Sequence, residues 1–159
     1  MITVKVQPLT VEDFAPYGSF TDVLHPTGNC LGNFYHDRVI SPVTGNTPVA
    51  FSPMLLKKRP MIVSKAEYHN TTGECIIALD DDMIFHVAPP SKVPVPEKTK
   101  AFFVPQGTLV RVNVGVWHMG AFPVNKEEGH SLVLLPERTY MNDCTIVEYG
   151  EENSVEIVM

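Results

Sequence analysis

Cysteine is scarce in this chain. Cys30, Cys75 and Cys144 are the only three in 159 residues, an odd number with no C-x-x-C spacing. Neither a disulfide framework nor a zinc knuckle is indicated, and buried, unreactive thiols are expected. No apolar run approaches the length that spans a bilayer. The opening residues Met1-Ile2-Thr3-Val4-Lys5-Val6 alternate apolar and polar side chains, so they read as a first strand rather than a signal peptide, and a cytoplasmic protein is expected. Positive charge is also short: 12 Lys and Arg stand against 18 Asp and Glu, a net charge of -6. The one basic cluster, Lys57-Lys58-Arg59, reads as a solvated loop or strand end. Without clustered cations to neutralise phosphates, neither nucleic acid nor an anionic membrane is an expected partner. Long amphipathic helical windows are lacking too, and together with 14 prolines this excludes the α and α/β classes.

What the chain does have is an ordinary globular composition, 44% hydrophobic and 19% charged, enough for one core in a single domain over residues 1–159. Thr10-Val11-Glu12-Asp13-Phe14 carries a capping-box pattern and predicts a short helix that stops near Pro16 and Gly18. Beyond it, short apolar segments alternate with Pro, Gly and Asn clusters, such as His25 to Asn29 and Ser41 to Asn46. Strands are expected at Ser19–Leu24, Leu31–Ile40, Val49–Met54, Met61–Ser64, Ala101–Val104, Leu109–Val112, Val116–Met119, Ser131–Leu135 and Cys144–Tyr149. Glu74–Leu79 and Met83–Ala88, joined through Asp80-Asp81-Asp82, read as the strongest hairpin of the chain. The proline-dense stretch Pro89–Pro96 cannot donate into a ladder and reads as an extended surface loop. The acidic tail Glu151–Met159 reads as an edge strand or an arm exchanged between subunits. The expected class is all-β, a barrel or sandwich with one or two short helices.

Two motifs carry the chemistry, Glu67-x-His69-x-x-x-x-Glu74 and Gly107-x5-Asn113-x-Gly115-x-x-His118. Residues two apart on a strand share a face, so Glu67 and His69 can both point into a barrel. A turn through Asn70 to Gly73 returns the chain to Glu74, and Gly115 permits the tight turn that admits His118. The two imidazoles and two carboxylates of Glu67, His69, Glu74 and His118 suit a divalent metal, Mn, Fe, Ni or Zn, with open positions for a small chelating substrate. Carboxylates sharing a site also have their pKa values pushed apart, which suits an acid and base pair. The alternative is a hydrogen-bonded polar cluster without metal. No organic cofactor is indicated.

The spacings resemble the paired motifs of the cupins, which implies a double-stranded β-helix, or jelly-roll, barrel. In that comparison Glu67 stands for the usual first His, Asn113 for Pro, Asp81 for the closing Gly of the first motif and Phe122 for the last Asn of the second. The chain further resembles the ureidoglycolate lyase family nearly end to end. The resemblance is carried by Glu12-Asp13-Phe14-Ala15-Pro16-Tyr17-Gly18, Tyr35-His36-Asp37, Glu67-Tyr68-His69, Thr72-Gly73-Glu74, Ala78-Leu79, Gln106-Gly107, Gly115-Val116-Trp117-His118 and Asn142-Asp143-Cys144. It implies release of urea from ureidoglycolate to give glyoxylate in allantoin and purine catabolism, by a homodimer. Glu67, His69, Glu74 and His118 would be the central set, with His118 the base and His69 or a bound metal polarising the hydroxyl. A cation is then wanted for the substrate carboxylate, and Arg111 is the leading candidate, with a solvent-facing strand arginine as the alternative. Glu74 departs from the Gln that the lyases resembled carry there, the stretch from Gly107 to Trp117 is longer, and the Lys57-to-Pro60 approach and Pro89–Pro96 differ. These departures leave open a cupin of altered specificity, either a metal-dependent enzyme of a small hydroxy acid or sugar, or a non-enzymatic small-molecule binder. The lack of any DNA-binding segment counts against a stand-alone transcriptional sensor. His36 is a candidate rim residue and His86 a candidate site-lining one, each with a structural hydrogen-bonding role as the alternative. Trp117, one residue before His118, should face the other way and pack.

Overall fold

The structure, a computed structural model, describes residues 1–42 and 45–159, so part of the turn cluster expected at 41–46 lies outside the described residues. In chain order the elements are β1 (Ile2–Pro8), α1 (Val11–Phe14), β2 (Gly18–Asp22), β3 (Val49–Lys57), β4 (Ile62–Val63), β5 (Lys65–Tyr68), β6 (Glu74–Ala78) and β7 (Met83–Ala88). A 3-10 turn at Pro96–Lys98 follows, then β8 (Lys100–Val104), β9 (Thr108–Val112), β10 (Trp117–His118), β11 (Phe122–Pro123), β12 (Glu128–Pro136), α2 (Thr139–Asn142), β13 (Thr145–Glu148) and β14 (Val155–Val158). The Thr10 hydroxyl caps α1 by accepting from the Asp13 amide at 3.1 Å, as the sequence pattern predicts.

Two sheets form. The five-stranded sheet runs β2-β9-β6-β12-β3, and the nine-stranded one runs β13-β5-β10-β7-β8-β1-β14-β4 with β11 attached to β7. β4 and β5 are separated only by Ser64, yet lie near opposite ends of the second path. That sheet is therefore curled, and the architecture is the all-β barrel expected.

The connections differ from the expected hairpins. β6 pairs with β9 and β12, whereas β7 pairs with β8, β10 and β11 in the other sheet. The Asp80–Asp82 segment is thus a crossover between sheets. Asp81, buried there, accepts from the amides of Val124, Asn125 and Lys126 at 3.0–3.1 Å, and these bonds tie the crossover to the segment between β11 and β12. β9 and β10 likewise belong to different sheets. Residues 31–40 form no strand; one bridge, Leu31 to Phe34, is all the pairing they have, because Gly32 and Asp37 take positive φ and break the extended run. The tail is not an edge strand, since β14 lies between β1 and β4 and pairs with both within its own chain.

Side-chain alternation divides the interior in two. Between the sheets Phe14, Ile76, Phe85, Val87, Phe102, Val110 and Val112 are buried together, with Phe14 edge-on to Phe102 at 5.2 Å. Inside the curl of the larger sheet lie Ile84, Ala88, Trp117, Phe122, Val155 and Ile157. Each large side chain so buried contributes roughly 1.5–3 kcal/mol. Trp117 faces this second core, away from His118, as alternation predicts, and its Nε1 donates to Ser91 Oγ at 2.9 Å. That bond pins the proline-dense loop. Among the described residues no helix is long and apolar enough to cross a membrane.

Candidate active site

The site forms where strands from both sheets meet. Glu67 on β5 is directly opposite His118 on β10, so both point to the same face, into the barrel. Their neighbours Ala66 and Trp117 turn to the second core, where Tyr68 meets Trp117 edge-on at 4.6 Å. Glu74 opens β6 in the other sheet, opposite Val112. Gly73 precedes it because a Cβ there would collide with the Val112 carbonyl. Gly115 takes φ +78 in the turn that leads to His118, a conformation glycine adopts freely.

The imidazoles are held in an informative way. His118 Nδ1 donates to the Val116 carbonyl at 2.8 Å and His69 Nδ1 to the Asp143 carbonyl at 2.6 Å. With their Nδ1 protons so placed, both Nε2 atoms face one carboxylate oxygen, Glu74 Oε2, at 3.2 and 3.1 Å. Two neutral imidazoles would aim lone pairs at that oxygen, so the arrangement calls for an added proton or a cation between the groups. Histidine ligands characteristically anchor their other nitrogen on a backbone carbonyl in this manner. Ligand atoms of Glu67, His69, Glu74 and His118 all lie within 4.8 Å of one another, and this donor set could hold a metal ion.

Burial shifts the charges in opposite senses. Desolvation alone would raise the Glu74 pKa, but the His118 charge and the hydrogen bonds from both imidazoles hold it down to about 2. Desolvation alone would lower His118, but the Glu74 carboxylate raises it.

A cavity of about 250 Å³ leads to Glu67, His69 and Glu74, with Met54, Val133 and Leu135 forming an apolar wall. His118 is nearly fully buried and stands behind Glu74 rather than lining this cavity. Three further residues named from the sequence are not brought here. Arg111 is paired with Cys75 while Glu74 is paired with Val112, so Arg111 projects from the opposite face of the sheet, where its Nη1 donates to Asn113 Oδ1 at 2.6 Å. The expected contact with a substrate carboxylate is corrected on that ground. His86 sits one residue from Val87, the partner of His118, and faces away from the site beside Phe122 at 6.1 Å. Burial, His118 and Arg59 push its pKa down to about 3, so it is a neutral histidine outside the site. His36 lies on a loop, 3.5 Å from Asp37, and does not line the cavity.

Several residues at the site lie outside the two motifs. Asp143 accepts from the Asn70 and Thr71 amides and the Thr71 hydroxyl at 2.6–2.8 Å, which fixes the turn that carries His69. Cys144, expected to be inert, donates from Sγ to Glu67 Oε2 at 3.0 Å; burial and Glu67 push its pKa up to about 12, so it remains a thiol donor. Cys75 is buried as expected, whereas Cys30 is exposed. Arg138, Thr139 and Tyr140 form the cavity rim. Of these, only Asp143 and Cys144 had been visible, as part of Asn142-Asp143-Cys144.

The sequence profile of the family described as ureidoglycolate lyase matches residues 1–156. A ureidoglycolate lyase of Pseudomonas aeruginosa is 29% identical over 145 residues, covering 84% of this chain and 83% of that protein. Another, from Rhodobacter capsulatus, is 23% identical over 139 residues, covering 84% and 86%. Among solved structures, an oxalate decarboxylase variant of Bacillus subtilis superposes with a TM-score of 0.45 at 14% identity, over 64% of this chain and 24% of that one. With the match running from Met1 to Glu156, this chain belongs to the ureidoglycolate lyase family.

Proposed function

We propose that the protein is a carbon-nitrogen lyase that releases urea from ureidoglycolate to leave glyoxylate, a reaction of allantoin and purine breakdown. Family membership over residues 1–156 supports this reading. The single observation in the site that carries it is Glu67, His69 and Glu74 gathered at the end of a cavity of about 250 Å³, a volume suited to a small hydroxy acid.

Ureidoglycolate is a carbinolamine, so its cleavage moves one proton from the hydroxyl oxygen to the departing nitrogen while C=O forms and C–N breaks. Glu67 is suited to carry that proton, because among the four clustered side chains it alone is half-buried and it lines the cavity. His118, although the natural base by motif, keeps Nδ1 on a carbonyl and Nε2 on Glu74, which makes it a positioning residue. His69, Glu74 and His118 would hold a divalent cation such as Mn, Fe, Ni or Zn, with Glu67 beside it. When bound, such a cation supplies Lewis-acid polarisation of the substrate hydroxyl. Cys144 orients Glu67 by donating to its second oxygen, and the apolar wall excludes water and so strengthens every charge interaction at the site.

The direct test is glyoxylate release from ureidoglycolate by purified protein, after chelator treatment and after re-addition of each divalent metal. Release is expected, and greater with metal. No glyoxylate under any of these conditions would sink the lyase reading.

A homodimer is proposed as well. The outer face of the five-stranded sheet exposes Phe51 at 65% and Leu55 at 55%, both on β3, an edge strand nine residues long that pairs with β12 on one side and, among the described residues, with no strand on the other. Such an edge is a template for pairing unless covered. Sedimentation at twice the 17.7 kDa chain mass, reduced to one chain by Phe51→Glu with Leu55→Glu, is expected. A wild-type monomer at micromolar concentration would refute it.

A further inference from the structure

The proposed substrate is an anion, but the inner end of the cavity carries two carboxylates, Glu67 and Glu74, and Arg111 faces elsewhere. A divalent cation held by His69, Glu74 and His118 would no more than neutralise these two carboxylates, so an anionic substrate calls for a further positive group on the cavity side. Arg138 is the only Lys or Arg among the residues lining the cavity. We propose that Arg138 binds the substrate carboxylate and makes the site selective for hydroxy-acid anions over neutral carbinolamines. The inference rests on the lyase reading for its substrate.

The backbone presents this residue deliberately. Arg138 lies between the end of β12 at Pro136 and the start of α2 at Thr139, with φ 62 and ψ 22. That left-handed conformation is costly for a residue with a Cβ and free for glycine, and an arginine kept there points to use of its side chain. The surrounding bonds hold the turn in place: Thr139 Oγ1 donates to the Pro136 carbonyl at 2.7 Å, and the Met141 and Asn142 amides donate to the Arg138 carbonyl at 2.9 and 3.0 Å.

The guanidinium is only loosely engaged. Its Nε is 3.4 Å from Glu137 Oε1, and both side chains are well exposed, so the pair is weak. Among the described residues no hydrogen bond occupies either Nη. The planar fork is thus free to take a carboxylate through two parallel N–H donors. Substrate held there would turn its carbinol carbon toward Glu67 and His69 and lay its remaining surface on Met54, Val133 and Leu135.

Arg138→Gly tests this without penalising the turn, because glycine accepts the same φ. Relative to wild type, kcat/KM for ureidoglycolate should fall roughly 10- to 100-fold, carried by KM, as expected for losing charge-assisted hydrogen bonds. Cleavage of N-(hydroxymethyl)urea, the neutral carbinolamine without a carboxylate, should be unchanged, and the melting temperature should hold or rise, because the strain of the left-handed turn is relieved. Calorimetric binding of glyoxylate to wild type and Arg138→Gly reads the same contact without turnover, and the variant should bind more weakly by a similar factor. Equal glyoxylate affinities, or no glyoxylate binding by wild type, would overturn the assignment. If wild type binds glyoxylate, the variant does not, and ureidoglycolate is left uncleaved, the lyase reading fails while Arg138 stands as the carboxylate anchor.

Discussion

Glu67→Gln is expected to lower kcat for glyoxylate release by roughly 10²- to 10⁴-fold, the range for removing a positioned acid-base group, with KM changed only a few-fold. The amide keeps the size of the carboxylate and can still meet Cys144, but it can neither accept the hydroxyl proton nor return it to nitrogen. The motif alone points instead to His118 as base. The geometry argues otherwise, because an imidazole whose two nitrogens already face the Val116 carbonyl and Glu74 has none to offer a substrate. Steady-state kinetics of the variant against wild type decide the matter. A kcat within about threefold of wild type would remove Glu67 from the proton transfer, given the size of the effect expected.

His118→Ala should act differently, through metal and stability together. It removes one of the three buried side chains proposed to hold a cation and leaves the Glu74 carboxylate, only 6% exposed, with one imidazole instead of two. Divalent-metal affinity should weaken by at least roughly 10²-fold, beyond the loss typical for an outer-sphere partner. Stability should fall by about 3–5 kcal/mol, because an incompletely paired charge remains buried, which for a chain of this size lowers Tm by roughly 10 °C. Elemental analysis after dialysis and thermal unfolding with and without metal would measure both. If metal content and Tm match wild type, Glu74 and His118 do not form the coupled unit inferred here. The contrast between variants is itself diagnostic: Glu67→Gln should leave the metal and Tm largely in place and lose turnover, whereas His118→Ala should lose all three.

Glu74 has a physical role of its own in the site. A neutral amide at this position could donate one N–H to each imidazole Nε2 and need no further charge, whereas the carboxylate has its pKa held low by the charge and hydrogen bonds of the two imidazoles. A carboxylate here favours a cation between the groups. It also adds negative charge beside an anionic substrate, which places the demand for a positive group at the cavity rim.

Much of the site was legible in the chain. Period-two alternation put Glu67 and His69 on one face and turned Trp117 away from His118, since both follow from strand geometry alone. The Thr10 cap, the strand-rich class and the proline-dense loop were legible for the same local reasons. Arg111 and His86 were not, because a side-chain face is defined only relative to what the strand pairs with. In β9 the register against β6 puts Val112 and Val110 inward and Arg111 outward.

By itself, then, the sequence determined the local alternation, the turns, the excluded classes and the four polar side chains that converge, because these depend on neighbours a few residues apart. The tertiary structure alone decided that the Asp80–Asp82 turn is a crossover and not a hairpin, since its carboxylates bond to a segment some forty residues away in sequence. It also decided that Glu74 approaches the histidines from the opposite sheet, that His118 stands behind it, and that Arg138 reaches the cavity rim. Each of these depends on which strands pair and how the larger sheet curls, and long-range pairing of that kind leaves no periodic trace in the chain.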